Sequence, residues 1–542
     1  MELNEEGLRN RKWWIERGYR LPEFDREAVR EATGREPVWV HFGAGNIFRA
    51  FPARAVQELL DRGIMDRGLV AAEGYDMELL ERVNRPHDEY SVLVTLRADG
   101  TVEKTVVGSV LASYGLDGLK EIFTMDSLQI ASFTITEKGY SVSGAGEDFK
   151  NGPDRAKTYM GQVAGLLYRR FLAGKRPIAM VSMDNCSRNG DRLLEAMEAF
   201  AVRWCENGLA APGFLEYVTG RSRVAFPWTM IDKITPRPGA DVLKILEADG
   251  LTGMEPVVTA KNTYAAPFVN AEECEYLVIE DDFPNGRPEL EKAGFLFTDR
   301  ETVEKAEKMK VCTCLNPLHT ALAVFGCLLG YKRISEEMKD RDLTLLLKRI
   351  GYEEGLPAVT DPGVLDPRRF LDTVLTVRFP NPFLPDSPQR IATDTSQKLS
   401  VRFGETIKAY MASPELDMDR LRGIPLVLAG WLRYRMAVDD EGRPMKLSPD
   451  PMAERLDPHM EKLRLGGAGD GGKRTEWIPG PRGPWAAEVK AVLRPILSDK
   501  AIFGVDLFAA GLAGRVTELF MEMAAGPGRV RGTLHSLVKG EM

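Results

Sequence analysis

A lysine, an asparagine and a histidine lie close together in the sequence, at Lys310, Asn316 and His319, just before a long apolar segment. Polar groups beside a core are costly unless they have partners or a function. The Asn316-Pro317 pair predicts the start of a helix, because asparagine accepts first-turn N–H groups and proline lacks a donor that has no partner there. A bend at the proline would direct an ammonium, an amide and an imidazole to one point, as proton transfer to a substrate requires.

The same residues also have a purely structural interpretation. Asn316 would then be only a helix cap, His319 a hydrogen-bonded side chain of the first turn, and the nearby lysines solvated side chains. These residues on their own favour the structural interpretation, so further motifs must decide between the two.

The length and composition of the chain indicate a large soluble protein. Its 542 residues are too many for one ordinary core, which favours two large domains or one domain with big insertions. Apolar residues make up 44% and charged residues 28%, which is typical of globular proteins rather than disordered or membrane ones. No run approaches about 18 uncharged apolar residues, and the N-terminus has no apolar signal core. We therefore expect a cytoplasmic protein that does not enter a membrane, whether a monomer or a small homo-oligomer.

The charges, cysteines and histidines disfavour further classes of partner. The formal net charge is −8, with 72 Lys and Arg against 80 Asp and Glu, so nucleic acid is not an expected partner. The six cysteines contain no C-x-x-C pair, which predicts reduced thiols rather than a disulfide framework. The five histidines show no H-x-x-x-H spacing, so no metal site is predicted.

The first predicted strand ends in a glycine turn that indicates a dinucleotide site. An apolar run at 37–42 is followed by Gly43-Ala-Gly45 and a helical segment. Backbone N–H groups at such a helix start hold a pyrophosphate, with Gly43 allowing the tight turn and Gly45 the close approach of phosphates. Phe48 takes the place of the third glycine of G-x-G-x-x-G.

An acidic residue, Glu73, follows the second apolar run at 68–72. At this position a carboxylate accepts hydrogen bonds from the adenosine ribose and repels a 2′-phosphate, which favours NAD over NADP. Surface acidity is the plainer alternative for Glu73.

Further apolar segments predict a doubly wound α/β domain over residues 1–290 and a mainly α-helical domain over residues 291–542. The expected elements of the first domain are a helical extension over 1–36, a hairpin at 90–97 and 103–112, and strands at 130–136 and 178–183. Beyond residue 290 apolar residues recur at spacings of three and four, as in helices.

Two of the predicted strands end in polar clusters, at 134–140 and 182–190. In open α/β sheets ligands bind beyond the carboxyl ends of the strands, so Asp184 and Asn185 are candidate functional residues. Turn formation is the plainer interpretation, and a turn is predicted at Asn189-Gly190.

A glycine-rich segment at 465–485 imitates a phosphate-binding P-loop through the spacing of Gly467 and Lys473. A P-loop is rejected, because Arg474 stands where Ser or Thr is needed and no buried strand precedes the segment. A flexible surface loop is predicted instead.

Eight motifs occur in the order in which one enzyme family has them. They are HFGAGNIFRA, TITEKGY, MDNCSRNG, FPWTMIDKITP, VIEDDFPNGRP, CLNPLHTAL, RFPNP and RIATDTSQK. Through them the chain resembles, from about residue 37 to 510, the polyol-specific long-chain dehydrogenases, which include mannitol 2-dehydrogenase, fructuronate reductase and tagaturonate reductase. One such motif is weak, but eight in sequence are specific, and they favour the active-site interpretation of Asn316 and His319.

The resemblance implies a Rossmann-type N-terminal domain, a helical C-terminal domain and a metal-free active site in the cleft between them. It implies a lysine as general acid and base. It also implies Asn185 and Asn316 as donors to the reacting oxygen, and His319 as the histidine of the lysine motif.

Further site residues also follow from the resemblance. Arg390 and Lys398 match cations of the cleft, and Asp232 matches an aspartate that lines it. The candidate cofactor-binding residues are Gly43, Gly45, Asn46, Phe48, Arg49 and Glu73.

The lysine departs from the family pattern K-x4-N-x2-H. Residue 311 is valine, and Lys310 stands one residue too early, with Lys308 earlier still. We predict that the extra residue is absorbed as a bulge in the helix, a feature often found at functional sites. Lys310 is therefore the predicted acid and base, and Lys308 the second choice.

The resemblance implies reversible hydride transfer between the nicotinamide of NAD and a ketose-type carbonyl. A lysine serves both directions only if its pKa falls toward neutrality, which partial burial and the cations Arg390 and Lys398 favour. The same cations suit a carboxylate, so the leading expectation is reduction of a hexuronate, D-fructuronate, to D-mannonate. Oxidation of D-mannitol to D-fructose and reduction of tagaturonate stay open. A different class, a non-catalytic sensor of NAD and sugar acid or an NAD-using epimerase, stays open as well.

Overall fold

The computed structural model describes residues 1–466 and 484–540. Contacts divide the chain into two compact units, Met1–Glu304 and Lys305–Met542. Most of the glycine-rich segment, including Gly467 and Lys473, lies outside the described residues, so its assignment as a surface loop stays a prediction.

The first unit is an α/β unit. Its strands are β1 (Tyr19–Arg20), β2 (Trp39–Phe42), β3 (Leu69–Glu73), β4 (Ser91–Leu96), β5 (Val102–Val107), β6 (Val110–Gly115), β7 (Ile130–Phe133), β8 (Ile178–Ser182), β9 (Val224–Ala225), β10 (Thr229–Asp232), β11 (Val257–Val258), β12 (Tyr264–Ala265), β13 (Phe268–Glu272), β14 (Tyr276–Glu280) and β15 (Leu296–Thr298). Its helices are α1 (Glu5–Leu8), α2 (Arg11–Glu16), α3 (Arg26–Arg35), α4 (Asn46–Ala50), α5 (Pro52–Asp61), α6 (Gly146–Asn151), α7 (Tyr159–Leu172), α8 (Asn189–Glu206), α9 (Phe214–Thr219) and α10 (Ala240–Ala248).

A six-stranded sheet forms the centre of this unit. Its order is β6-β3-β2-β7-β8-β9, and each neighbouring pair is parallel. Counted within the sheet, the order is 3-2-1-4-5-6, which is that of dinucleotide-binding Rossmann domains. The winding reverses between β2 and β7, where ligands bind in such sheets. The predicted doubly wound sheet is confirmed.

Both faces of this sheet are buried, which explains its nearly continuous apolar strands. Trp39 of β2 packs into one core with residues of α5, whereas Val40 and Phe42 pack into the other core with residues of α7 and α8. Alternate residues of one strand therefore serve opposite layers of helices, as the period of a strand requires.

A second sheet joins the predicted hairpin to the N-terminal extension. Strands β4 and β5 pair antiparallel, β1 adds to the edge of β5, and β13 adds to β4. The hairpin and the helical extension are confirmed, with β1 as an unpredicted strand. The hairpin ends at Val107, and residues 110–112 belong to β6 of the large sheet, because Gly108 and Ser109 interrupt the strand and β6 pairs with β3.

The second unit is helical, as predicted: after Thr298 the only β-structure in the described residues is an isolated bridge between Val438 and Pro444. Its helices, with the one that leads into it, are α11 (Arg300–Lys308), α12 (Asn316–Leu329), α13 (Ile334–Glu337), α14 (Arg341–Lys348), α15 (Pro367–Thr373), α16 (Pro388–Ile391), α17 (Thr395–Leu399), α18 (Glu405–Ala412), α19 (Gly423–Tyr434), α20 (Ala453–Met460), α21 (Pro484–Leu497), α22 (Lys500–Phe503), α23 (Ala513–Met523) and α24 (Arg529–Lys539).

Several of these helices continue into π turns, in which the backbone is wound more widely than in an α-helix. In this unit they span Met309–Cys314, Arg349–Gly355, Val374–Arg378 and Ser400–Gly404. Such turns are frequent at functional sites, because the extra residue changes the direction in which a side chain points.

One helical stretch, Arg300–Leu329, is long and apolar enough to cross a membrane, by length and composition alone. Of its most apolar part, 78% is buried within the protein. Burial of this extent is what the core helix of a globular protein shows.

Candidate active site

Gly43 occupies a backbone conformation that other residues rarely adopt. Its φ is +102°, and a Cβ there would lie 2.4 Å from the carbonyl oxygen of Thr134, just after β7. The N–H of Gly43 donates to the carbonyl of Ala72 in β3 (2.8 Å). The turn is therefore held between both neighbours of β2, and the predicted tight turn is confirmed.

Gly45 leaves open space in front of α4. It precedes that helix with a φ of −80°, no side chain caps the helix, and no described heavy atom lies within 4 Å of the position of a Cβ. Uncapped N–H groups at a helix start fit the pyrophosphate of a dinucleotide. The predicted binding of a pyrophosphate at this turn stays a prediction.

Arg49 anchors this turn instead of exposing its charge. Its Nη2 donates to Oδ1 of Asn46 (3.0 Å) and its Nη1 to the carbonyl of Ala266 (2.8 Å). The residue is buried, and burial lowers the pKa of the guanidinium to about 10. The guanidinium thus fixes the side chain of Asn46, and the predicted parts of both residues in cofactor binding stay predictions.

The side chain of Phe48 is a core residue, and a contact of this residue with the cofactor stays a prediction. It is fully buried, and its ring stacks on that of His41 with centroids 4.1 Å apart. His41 bonds in turn to the hydroxyls of Ser132 (2.6 Å) and Thr134 (2.8 Å) on β7 and just after it. Phe48 stands at the position of the third glycine of G-x-G-x-x-G. Its ring joins α4 to β2 through the stack on His41, in place of the close packing of helix on strand that a glycine would allow.

Glu73 ends β3 with a buried carboxylate. Its Oε1 accepts backbone N–H groups of Gly74, Tyr75 and Asp76, and its Oε2 accepts the N–H of Ala44 (3.3 Å). The side chain therefore joins the loop after β3 to the glycine turn. Oε2, with one donor, keeps capacity for a further hydrogen bond.

Asp184 fixes the loop that follows β7. Its carboxylate accepts the N–H groups of Ile135 and Thr136, both at 2.9 Å, and the hydroxyl of Tyr140 (2.6 Å). Thr136 has a φ of +66°, a strained conformation that the carboxylate holds in place. The polar clusters after β7 and β8 are thus one hydrogen-bonded structure at the carboxyl edge of the sheet.

Asn185 follows Asp184 and lies exposed beyond the end of β8. The predicted turn at Asn189-Gly190 is wrong, because these residues start α8. The Nδ2 of Asn189 donates to the carbonyls of Asp184 (2.9 Å) and Thr229 (3.0 Å), which ties the loop to β10. Asn185 is therefore presented on a braced loop.

Asp232 is the last residue of β10 and lies opposite Tyr276 of β14 in an antiparallel pair. It is buried, with 7% of its surface exposed. Its predicted role toward the substrate stays a prediction.

The predicted bulge at the lysine is confirmed as the π turn Met309–Cys314. The N–H of Leu315 donates to the carbonyl of Lys310, five residues earlier (3.0 Å), and the hydroxyl of Thr406 donates to the carbonyl of Cys312. The extra residue is accommodated in this wide turn. Lys310 is buried, with 2% exposed, whereas Lys308 is exposed.

Asn316 is the first residue of α12 and not its cap, which corrects the prediction from the Asn-Pro pair. The N-cap position belongs to Leu315, which has no capping side chain, and Pro317 stands in the first turn as predicted. The carbonyl of Asn316 accepts the hydroxyl of Thr320 (2.9 Å). The side-chain amide of Asn316 therefore does not cap the helix.

His319 sits in a cluster of charged residues. Its Nε2 lies 3.6 Å from Oδ2 of Asp386 and has no hydrogen-bond partner among the described residues. Burial lowers the pKa of the imidazole to about 4; Asp386 opposes this shift, and the charges of Arg402, Arg390 and Arg378 add to it. The imidazole is therefore neutral at physiological pH.

The predicted cations Arg390 and Lys398 are both in this unit, at the end of α16 and in α17. Arg390 forms an ion pair with Asp386, and 63% of its side chain is exposed. The Nζ of Lys398 donates to the carbonyl of Thr393 (2.6 Å). Burial lowers the pKa of Lys398, and the charge of Arg402 adds to this shift.

Two residues of this cluster were not predicted. Asp386 and Arg402 each stand four residues from a predicted cation, Arg390 and Lys398, and this spacing is the signal that could have found them. Within the described residues, no group of three or more His, Cys, Asp and Glu side chains is arranged to hold a metal ion.

We expect the imidazoles of His41 and His319 to stay neutral from pH 5 to pH 8. Burial lowers the pKa of His41 to about 3, as it lowers that of His319 to about 4. Because the unfolded chain protonates histidine near pH 6.5, the folded state should lose stability as the pH falls from about 6.5 toward 4. NMR titration of ¹³C-labelled histidines measures the pKa values of both imidazoles, with a His319→Asn variant to assign the signal of His319. A titration midpoint near pH 6.5 for His41 or His319 would contradict the burial argument.

Two sequence families match the chain in the order of its two units. Residues 38–292 match the mannitol dehydrogenase Rossmann domain, and residues 302–464 match the mannitol dehydrogenase C-terminal domain. The chain belongs to the mannitol dehydrogenase family. The resemblance seen in its motifs is thereby confirmed, and the family makes it a dehydrogenase.

Named relatives in this family act on different sugars. A D-mannonate oxidoreductase of Thermotoga maritima is 49% identical over 100% of both chains. A mannitol 2-dehydrogenase of Pyrenophora tritici-repentis is 29% identical over 80% of this chain and 74% of its own. A polyol:NADP oxidoreductase of Gluconobacter oxydans is 29% identical over 76% of this chain and 83% of its own.

Two solved dehydrogenase structures have the same fold. The mannitol 2-dehydrogenase of Pseudomonas fluorescens, solved with NAD and D-mannitol, has a TM-score of 0.66 at 24% identity, covering 99% of this chain and 100% of its own. A substrate-free D-sorbitol dehydrogenase has a TM-score of 0.71 at 24% identity, covering 93% and 97%. At this identity the likeness concerns the fold alone.

Proposed function

We propose that the chain reduces D-fructuronate to D-mannonate with NADH and catalyses the reverse oxidation with NAD. One observation carries the proposal: the chain aligns along its full length, at 49% identity, with a relative named D-mannonate oxidoreductase. Because both chains are covered completely, the nucleotide-binding and helical parts both have counterparts in that relative. We further propose a cytoplasmic enzyme that acts as a monomer or small homo-oligomer.

The cofactor supplies a hydride to the keto carbon of the substrate. The turn at Gly43 and Gly45 would bind its pyrophosphate, and Oε2 of Glu73 would accept a ribose hydroxyl. A negative carboxylate repels a 2′-phosphate, so we expect kcat/KM for NADH to exceed that for NADPH by about 10-fold or more.

We assign the proton to Lys310. As hydride reaches the carbon, negative charge grows on the carbonyl oxygen, and the Lys310 ammonium donates the proton that completes the hydroxyl. Asn185 and Asn316 would donate N–H groups to the same oxygen and stabilise its charge. The burial of Lys310 on a π turn, against the exposed position of Lys308, supports this choice.

His319 would act as a hydrogen-bonding group and not as a charge. Its pKa of about 4 keeps the ring neutral, and its Nε2 has no hydrogen-bond partner among the described residues. A substrate hydroxyl is a fitting partner for such a nitrogen, because a buried polar atom gains from being satisfied.

A second candidate function is oxidation of D-mannitol to D-fructose. It is supported by relatives named mannitol 2-dehydrogenase, which are 29% identical. Reduction of tagaturonate stays the other alternative, because cations such as Arg390 and Lys398 suit the carboxylate of any hexuronate.

The test is a substrate panel with purified protein. Loss of NADH is followed with D-fructuronate, D-tagaturonate and D-fructose, each also with NADPH, and formation of NADH is followed with D-mannonate and D-mannitol. The highest kcat/KM is expected for D-fructuronate with NADH. A higher value for fructose or tagaturonate would replace the proposal with that activity, and binding of NADH without turnover of any sugar would favour a sensor.

A further inference from the structure

We propose that the guanidinium of Arg402 binds the carboxylate of the substrate and sets the preference for a hexuronate over an uncharged sugar. This inference rests on the proposed function, because it names the residue that recognises the acid group. Arg402 was not among the residues implied by the resemblance, and the carboxylate was there expected to bind to Arg390 and Lys398.

Arg402 is a mostly buried cation without a countercharge. It lies on the π turn Ser400–Gly404, and its Nη1 donates to the hydroxyl of Thr320 (2.6 Å). No carboxylate of the described residues lies within ion-pair distance of it. Burial lowers the pKa of the guanidinium only to about 10, so the group stays charged at neutral pH.

The neighbouring predicted cations are better balanced. Arg390 forms an ion pair with Asp386 and is largely exposed. Lys398 has Asp394 and Asp450 close enough to raise the pKa of its ammonium against the effect of burial. Of these three cations, Arg402 is the one whose charge no described carboxylate neutralises, so it is the one available to bind an anionic ligand.

Arg402 is also linked by hydrogen bonds to the first turn of α12. The hydroxyl of Thr320, which accepts from Arg402, donates to the carbonyl of Asn316 (2.9 Å). The charge of Arg402 lowers the pKa of both His319 and Lys398. An anion on Arg402 would therefore sit beside the first turn of α12, which carries the proposed donor to the reacting oxygen.

A carboxylate is the chemistry that this environment lacks. A buried guanidinium without an anion is costly, and charge-assisted hydrogen bonds to a carboxylate compensate it better than those to a hydroxyl do. A hexuronate brings such a group at the end of its carbon chain, whereas a ketose or hexitol brings only hydroxyls. The same contact would thus favour acid substrates, because a bound polyol would leave the charge of Arg402 uncompensated.

The test compares an acid with its uncharged analogue in a complex that cannot react. D-Mannonate and NADH are both reduced, so calorimetry on the NADH-bound enzyme measures the affinity for D-mannonate, and D-mannitol serves as the analogue. We expect Arg402→Gln to weaken D-mannonate binding by about 10–100-fold more than D-mannitol binding. Arg402→Lys, which keeps the charge, is expected to retain part of the preference.

Arg531→Gln is the matched control, because it removes a cation of the same helical unit that Asp340 already neutralises and that has no proposed part in the site. It should change the ratio of the two affinities less than Arg402→Gln does. The midpoint of thermal unfolding tests a structural role: loss of the bond to Thr320 alone would lower the midpoint and weaken both ligands by the same factor, which would overturn the inference.

The wild-type enzyme separates this inference from the proposed function. If it prefers D-mannonate over D-mannitol and Arg402→Gln keeps that preference, only the role of Arg402 is overturned. If the wild type shows no preference for D-mannonate and does not reduce hexuronates, the proposed function fails, and the inference fails with it.

Discussion

Replacing Lys310 with alanine is expected to lower kcat for D-fructuronate reduction by about 10²–10⁴-fold, the contribution typical of a positioned proton donor. The dissociation constant for NADH should stay within a few-fold, because the glycine turn is in a different part of the chain. Single-turnover measurements of NADH loss separate the chemical step from product release. Added methylamine should restore part of the lost rate, since it returns an ammonium of similar acidity.

Lys308→Ala is the control for this prediction. Lys308 lies two residues earlier at an exposed position, so its loss should change kcat by only a few-fold. If Lys308→Ala lowers kcat more than Lys310→Ala does, the π turn presents the other lysine. If neither variant slows the reaction by 10-fold, a lysine is not the proton donor.

Gly45→Ala is expected to weaken NADH binding by about 10-fold or more, because the added methyl group fills space that a phosphate needs. The same change should leave the thermal midpoint nearly unchanged. Gly45 has a φ of −80°, which alanine adopts readily, and no described atom would contact the new Cβ. Fluorescence titration with NADH measures the affinity.

Gly43→Ala should instead disturb the fold. At a φ of +102°, with its Cβ 2.4 Å from the carbonyl oxygen of Thr134, alanine is expected to lower the free energy of unfolding by about 2–4 kcal/mol and to impair NADH binding as a consequence. Gly34→Ala, in α3 with no described atom near its Cβ, is the control that should not lower the free energy of unfolding and should leave NADH binding unchanged. Equal destabilisation by Gly43→Ala and Gly45→Ala would contradict the separation of turn geometry from phosphate contact.

The elements around the nucleotide turn were predictable because they depend on local chemistry. An apolar run, two glycines and a helical segment specify β2, the turn at Gly43 and α4 with little help from the rest of the chain. The bulge at Lys310 was predictable for a different reason. One surplus residue between a lysine and an asparagine, on a helix whose apolar side must stay buried, has to be accommodated by a wider turn.

Other side-chain environments were not predictable, because one residue type permits several. Phe48 and Arg49 follow the glycine turn, but both side chains are buried, one against His41 and one against the carbonyl of Ala266. Asparagine is a residue type that favours turns, but Asn189 begins α8. Its side chain donates a hydrogen bond to the carbonyl of Thr229, a residue 40 positions away.

The sequence by itself determined the class of the protein: a doubly wound nucleotide-binding unit, a helical unit, and a group of residues suited to moving a hydride and a proton. Only the tertiary structure decided which of the charged residues have a neutralising partner and which do not. Arg390 and Arg402 are the same amino acid, but Asp386 neutralises the first and no described carboxylate neutralises the second. Charge compensation depends on distance in space and on burial, and neither is contained in the order of residues along a chain.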